Sequence, residues 1–213
     1  MVCYVTERKS LDSAEPAREV LARIRIAIEA GTDWVQIREK DLPGRELLAL
    51  VREAVGATKS AVRVIVNDRL DVALAAGAAG VHLGGESLPA AEVVRWCRNG
   101  NAPAGFMVGV SCHSAGAVRE AEAARASYIF FGPIFATPSK AAFGAPQGTV
   151  RLAEVCRSVR IPVIAIGGVN KTNGAECLRA GAAGVAAIRM FQQAPDTETL
   201  SEKVASLHRA GRS

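Results

Sequence analysis

The chain has 213 residues, of which 49% are hydrophobic, 22% charged and 5% aromatic, and its 26 basic and 21 acidic residues give a net charge of +5. That is too apolar for a disordered chain, and long enough to bury a core without disulfide staples. The basic excess is mild and spread along the chain, so it fits anionic small molecules at least as well as nucleic acid.

The five cysteines, Cys3, Cys97, Cys112, Cys156 and Cys177, form no CxxC pair and read as buried thiols of a reducing cytoplasm. No stretch approaches the roughly 18 uninterrupted apolar residues of a membrane span, and Met1 to Ser10 lacks the apolar run of a secretory leader. A cytoplasmic chain with neither membrane nor nucleic-acid partners is expected.

Short β-branched runs recur at Val2–Thr6, Trp34–Arg38, Arg63–Asn67, Gly80–Leu83, Met107–Ser111, Ser127–Phe131, Pro162–Ile166 and Gly184–Ile188. They are nearly unbroken apolar segments, as parallel strands buried on both faces require. Helical periodicity fills the gaps, at Pro16–Ala30, Arg45–Thr58, Leu70–Ala76, Ala90–Arg98, Ala115–Arg125, Val150–Val159, Asn173–Ala180 and a closing segment Asp196–Ser213. One joint recurs where helix passes to strand: Ala30-Gly31-Thr32, Ala76-Gly77-Ala78, Ala124-Arg125-Ala126 and Ala180-Gly181-Ala182. Gly just past a helix takes the left-handed conformation that stops it. The repetition predicts one domain over 1–213, an α/β fold of the (β/α)8 TIM-barrel type. A doubly wound open sheet is the competing architecture, but no Gly-rich turn follows the first strand.

In such barrels the chemistry lies at the C-terminal ends of the strands. The second strand runs out through Gln36, Arg38 and Lys40, which alternate and would share one face. They suit a phosphate or pyrophosphate; the plainer alternative is a salt bridge to Glu39 or Asp41. The third strand ends Asn67-Asp68. Asp68 is either a ligand for Mg²⁺ or the N-cap of the next helix. After the fourth strand come Gly84, Gly85, Glu86 and Ser87, with Ser87 readable as a helix cap. His82 reads as a satisfied interior histidine. The fifth strand ends Ser111-Cys112-His113, where Ser111 suits a ligand hydrogen bond and His113 a proton carrier. A long connection follows the sixth strand and carries Thr137, Ser139 and Lys140, two hydroxyls and an ammonium for an anion. Gly167-Gly168 after the seventh strand and Ile188-Arg189 after the eighth occupy the usual phosphate cradle of these barrels.

Together, Gln36-Ile37-Arg38-Glu39-Lys40, Val66-Asn67-Asp68, His82-Leu83-Gly84, Gly109-Val110-Ser111-Cys112-His113, Gly132-Pro133-Ile134-Phe135, Thr137-Pro138-Ser139-Lys140 and Ala165-Ile166-Gly167-Gly168 resemble the thiamine phosphate synthases and their relatives the thiazole tautomerases. The resemblance implies a transferase that joins hydroxymethylpyrimidine diphosphate to thiazole phosphate and releases pyrophosphate, by ionising the pyrimidine–oxygen bond before the thiazole nitrogen captures the cation. It assigns Gln36, Arg38, Lys40, Asn67, Ser111 and Lys140 to the pyrimidine diphosphate, and Thr137, Ser139, Gly167, Gly168, Ile188 and Arg189 to the thiazole phosphate. Arg38, Lys40, Lys140 and His113 would act on the reacting groups. Asp68 and Ser87 would stand at the Mg²⁺ site. Sibling barrels often pair, so a homodimer is expected.

Some positions depart from the family pattern. Gly85 and Ser87 stand where the synthases usually read Gln-x-Asp, so a hydroxyl replaces the second carboxylate ligand of Mg²⁺. Arg189 replaces a usual Ser, and Ser139 a usual Thr. These changes keep two alternatives open. One is a tautomerase that isomerises a thiazole carboxylate phosphate by proton transfer without Mg²⁺. The other is a paralogue that binds thiazole phosphate without catalysis.

Overall fold

The computed structural model describes residues 1–58, 62–137 and 145–212. Its strands close into a barrel in chain order: β1 (Val2–Val5), β2 (Trp34–Ile37), β3 (Arg63–Asn67), β4 (Gly80–Leu83), β5 (Met107–Cys112), β6 (Tyr128–Phe131), β7 (Val163–Ile166) and β8 (Gly184–Ala187). Every neighbouring pair is parallel, and β8 returns to β1 through Val2 opposite Val185. The helices are α1 (Pro16–Glu29), α2 (Gly44–Ala57), α3 (Leu70–Ala75), α4 (Ala90–Trp96), α5 (Ala115–Ala123), α6 (Gly148–Ser158), α7 (Gly174–Arg179), α8 (Arg189–Gln192) and α9 (Thr197–Ala210). The eight expected strands form within one or two residues of their expected ends. The short α8 was not foreseen. None of the helices among the described residues is long and apolar enough to cross a membrane.

Two apolar layers explain the unbroken strand sequences. Val2, Tyr4, Val35, Ile37, Val64, Val66, Val81, Ile129, Ala165 and Val185 face outward beneath the helices. Cys3, Val5, Ile65, Met107, Tyr128, Phe130, Ile164 and Ala186 fill the barrel. Alternation along each strand sends successive side chains to the two layers. Tyr128 lies over Gly109 so closely that a β-carbon there would sit 2.1 Å from its ring.

The four repeated joints share one conformation. Gly31, Gly77 and Gly181 have φ of +82°, +69° and +98°, and Arg125 takes the same left-handed turn at +57° without being glycine. Each stops a helix and drops the chain into a strand. The polar strand ends are thereby collected at one rim.

Candidate active site

The β2–β3 side of the rim holds a chain of two amides and a carboxylate. Gln36 is almost fully buried, and its Nε2 donates to Asn67 Oδ1 at 3.1 Å. Its Oε1 is buried with no hydrogen-bond partner among the described residues. Asn67 Nδ2 donates in turn to Asp68 Oδ2 at 2.6 Å. Asp68 has a left-handed backbone, φ +61°, and its amide donates to His82 O at 2.9 Å. Such a conformation is uncommon outside glycine and clusters at functional sites.

The structure removes the helix-cap reading of Asp68 and of Ser87. The N-cap of α3 is Arg69 and that of α4 is Pro89, and neither end has a side-chain cap. Neither Asp68 nor Ser87 is spent on a helix. Ser87 instead donates its hydroxyl to Asp68 Oδ1, and both oxygens accept the Gly84 amide, Ser87 at 2.6 Å and Asp68 at 3.2 Å.

The common face expected for Gln36, Arg38 and Lys40 is corrected. β2 ends at Ile37, so the alternation stops after Gln36, and Arg38 and an exposed Lys40 lie in the turn beyond it. The cause is Glu39. Its buried carboxylate accepts the Thr6 hydroxyl at 2.6 Å and the Arg8 amide at 3.1 Å, while the Arg38 amide donates to Thr6 Oγ1 at 3.0 Å. Burial holds the Glu39 carboxyl above its ordinary range, against these hydrogen bonds. Neither Glu39 nor Asp41 neutralises Arg38. Arg8 lies beside both acids, at 3.8 Å from Glu39 and 2.5 Å from Asp41, and Arg38 pairs with Glu7 at 3.3 Å.

His82 is the satisfied interior histidine that the sequence suggests. Its Nδ1 meets the Tyr128 hydroxyl at 3.2 Å, its Nε2 meets Ser111 Oγ at 2.9 Å, and Phe130 packs on its ring. Ser111 is thus fixed at the end of β5. Beyond it, His113 Nδ1 hydrogen-bonds the Gly132 carbonyl. A carbonyl only accepts, so Nδ1 carries the proton and Nε2 holds the lone pair in the neutral ring. Burial pushes the Cys112 thiol up to about 12, which disfavours the thiolate a nucleophile needs.

The β7–β8 side opens into a cleft of about 620 Å³. Thr137, Gly167, Gly168, Ile188 and Arg189 line it, and all five were expected there. Ser139 and Lys140 lie outside the described residues. Arg189 begins α8 rather than ending β8, and its Nη2 donates to Thr137 Oγ1 at 2.9 Å. The two glycines answer first to packing. Gly167 and Gly168 have φ of +94° and +66°, and β-carbons there would fall 2.6 Å from Pro133 and 2.7 Å from Phe135. The segment after β6 runs directly across them, with the Ile134 and Phe135 amides donating to Ile166 and Gly167 carbonyls at 3.0 Å.

The cleft also includes Glu7, Ser10, Asn170, Lys171, Gln193 and Lys203, which sequence reasoning missed. Glu7 and Ser10 follow a strand end, the very place the barrel rule marks. Ser10 Oγ reaches Gln192 Oε1 at 2.7 Å, and Gln192 Nε2 donates to Glu7 O at 2.9 Å, which ties the turn after β1 to α8. Lys203 carried no signal short of the fold, because α9 lies far along the chain.

For a metal, the residues offer one carboxylate. No group of three or more His, Cys, Asp or Glu gathers as a cage among the described residues. Asp68 alone fits an ion that arrives bound to substrate phosphates, the usual arrangement for Mg²⁺.

The family described as thiamine monophosphate synthase matches residues 2–191. A curated relative from Geobacter sulfurreducens, named a putative thiamine-phosphate synthase, is 46% identical over 180 residues, covering 84% of this chain and 82% of its own. The thiamine-phosphate synthase of Roseiflexus sp. is 40% identical over 199 residues, covering 93% and 80%. The solved thiamine phosphate pyrophosphorylase from Pyrococcus furiosus superposes with a TM-score of 0.84 at 30% identity, over 98% of this chain and 96% of that one. The chain belongs to the thiamine monophosphate synthase family.

Proposed function

We propose that the chain joins hydroxymethylpyrimidine diphosphate to thiazole phosphate, forming thiamine phosphate and releasing pyrophosphate. One observation carries the reading: two separate polar sets share one barrel mouth, parted by the turn after β1. Gln36, Arg38, Asn67 and Asp68 make one set, and Thr137, Gly168 and Arg189 the other. A reaction between two phosphorylated substrates needs such a pair.

The Gln36 Oε1 without a partner suits the exocyclic amino group of the pyrimidine, whose N–H would satisfy it. Arg38 would steady the diphosphate as the carbon–oxygen bond breaks and its electrons pass to the leaving oxygen. Lys40 and Lys140 are assigned the same task. Ser111, held by His82, would orient the ring. The thiazole nitrogen then supplies the electron pair for the new carbon–nitrogen bond. Asp68 would hold Mg²⁺, which when bound neutralises diphosphate charge. The free thiols, four of them buried, suit a cytoplasmic setting.

Incubation with both substrates and Mg²⁺ tests the reading: thiamine phosphate should accumulate, and no product at saturating Mg²⁺ would overturn it. A second reading, thiazole tautomerase, draws on the neutral Ser87 beside Asp68 and on the lone pair of His113 Nε2. It predicts solvent deuterium exchange into the thiazole precursor, lost in His113→Ala. Exchange unchanged in that variant removes the histidine from the chemistry.

A further inference from the structure

Three cationic side chains line the β7–β8 cleft: Lys171 after β7, Arg189 at the start of α8, and Lys203 on α9. Its acidic lining residue, Glu7, is already paired with Arg38 at 3.3 Å. Among the described residues none of the three cations forms an ion pair with a carboxylate. Arg189 meets the Thr137 hydroxyl. Asp196, the N-cap of α9, feels Lys203 without touching it; its carboxyl is lowered first by the Thr199 amide.

Lys203 is also oddly placed for a lysine. It lies three residues after Leu200 and four before Leu207, both buried, so it stands on the inward seam of α9. It is half-buried where its neighbour Glu202 is exposed. Lys171 and Arg189 are exposed, so of the three cations it is Lys203 that holds its charge in a partly desolvated place, which is costly unless an anion joins it.

We propose that Lys203 and Lys171 are phosphate-binding residues, so that with Arg189 they grip the phosphate of the thiazole substrate by side-chain charge. The inference rests on reading this cleft as the thiazole phosphate site. It makes the cleft selective for a phosphate dianion over the free alcohol.

Two measurements test it, with inorganic phosphate as the probe in the first. Phosphate should raise the thermal midpoint of the wild type, raise it much less in Lys203→Gln, and regain its effect in Lys203→Arg. In turnover, Lys203→Gln should raise KM for thiazole phosphate about tenfold, the loss of one charge-assisted hydrogen bond, while KM for the pyrimidine diphosphate stays put. Lys171→Gln should act in the same direction. A variant that is less stable yet gains as much from phosphate as the wild type overturns the proposal, because Lys203 is then structural only. If no thiamine phosphate forms but the phosphate effect depends on Lys203, the synthase reading falls and the cation site stands.

Discussion

Ser87 donates its hydroxyl to Asp68 Oδ1, and the two side chains share the amide of Gly84. A hydroxyl in that place leaves this pair with one carboxylate, and it holds that carboxylate still. Replacing it by a second carboxylate should convert the pair into a better metal site. In Ser87→Asp, two negative charges would face one amide and repel each other until a divalent cation joined them. The variant should melt lower than the wild type in Mg²⁺-free buffer. It should bind Mn²⁺ at least about tenfold more tightly, or about 1.4 kcal/mol, by electron paramagnetic resonance titration. Equal Mn²⁺ affinity in the two proteins would sink this account of the rim.

Much of this architecture was legible because barrel strands are short, apolar and separated by a repeated joint. Ala76-Gly77-Ala78 and Ala180-Gly181-Ala182 announce a turn that only a left-handed residue makes. The rim was legible where polar residues interrupt apolar runs, as at Asn67-Asp68. It was less so where a buried acid bends the chain: Glu39 draws in Thr6 and Arg8, and nothing in its local sequence says that it is buried. Contributions from distant segments were invisible for the same reason. Glu7 and Lys203 reach the cleft only once the barrel closes.

Arg125 tests the joint itself. It holds the left-handed conformation that its three counterparts assign to glycine, and its side chain is exposed. The strain on a residue with a β-carbon is about 1 kcal/mol. Arg125→Gly should therefore raise the thermal midpoint by about 2–4 °C for a chain of this size. The contact from Arg98 survives, because it is made to the Arg125 carbonyl. A midpoint that falls would mean the Arg125 side chain contributes more than its backbone costs.

Glu39 gives a pH dependence of defined sign. Burial raises its folded pKa above the value of about 4.3 expected in the unfolded chain. The folded state therefore holds the proton more tightly. The stabilisation this brings is fully present below the unfolded value and is lost as pH rises through the folded one. Glu39→Gln removes the titration. The stability of the wild type relative to Glu39→Gln, from urea unfolding, should thus be greater at pH 4 than at pH 7.5. A difference that grows with pH would show that the hydrogen bonds from Thr6 and Arg8 outweigh burial.

Gly168 joins the packing of the loop to the lining of the β7–β8 cleft, the proposed phosphate site. A β-carbon there would meet Phe135 Cβ and the Ala136 carbonyl at 2.7 Å, and would sit on a backbone with φ of +66°. Left-handed strain alone costs about 1–2 kcal/mol, and the clash adds to it by pushing the loop off β7. Thr137 is the next residue along that loop and accepts from Arg189, so the displacement should reach the cleft. Gly168→Ala should lower the thermal midpoint and raise KM for thiazole phosphate. KM for the pyrimidine diphosphate, whose proposed site surrounds Gln36 and Arg38, should change far less. A variant that loses stability but keeps its KM for thiazole phosphate would show that Gly168 serves the packing of the loop and leaves the cleft untouched.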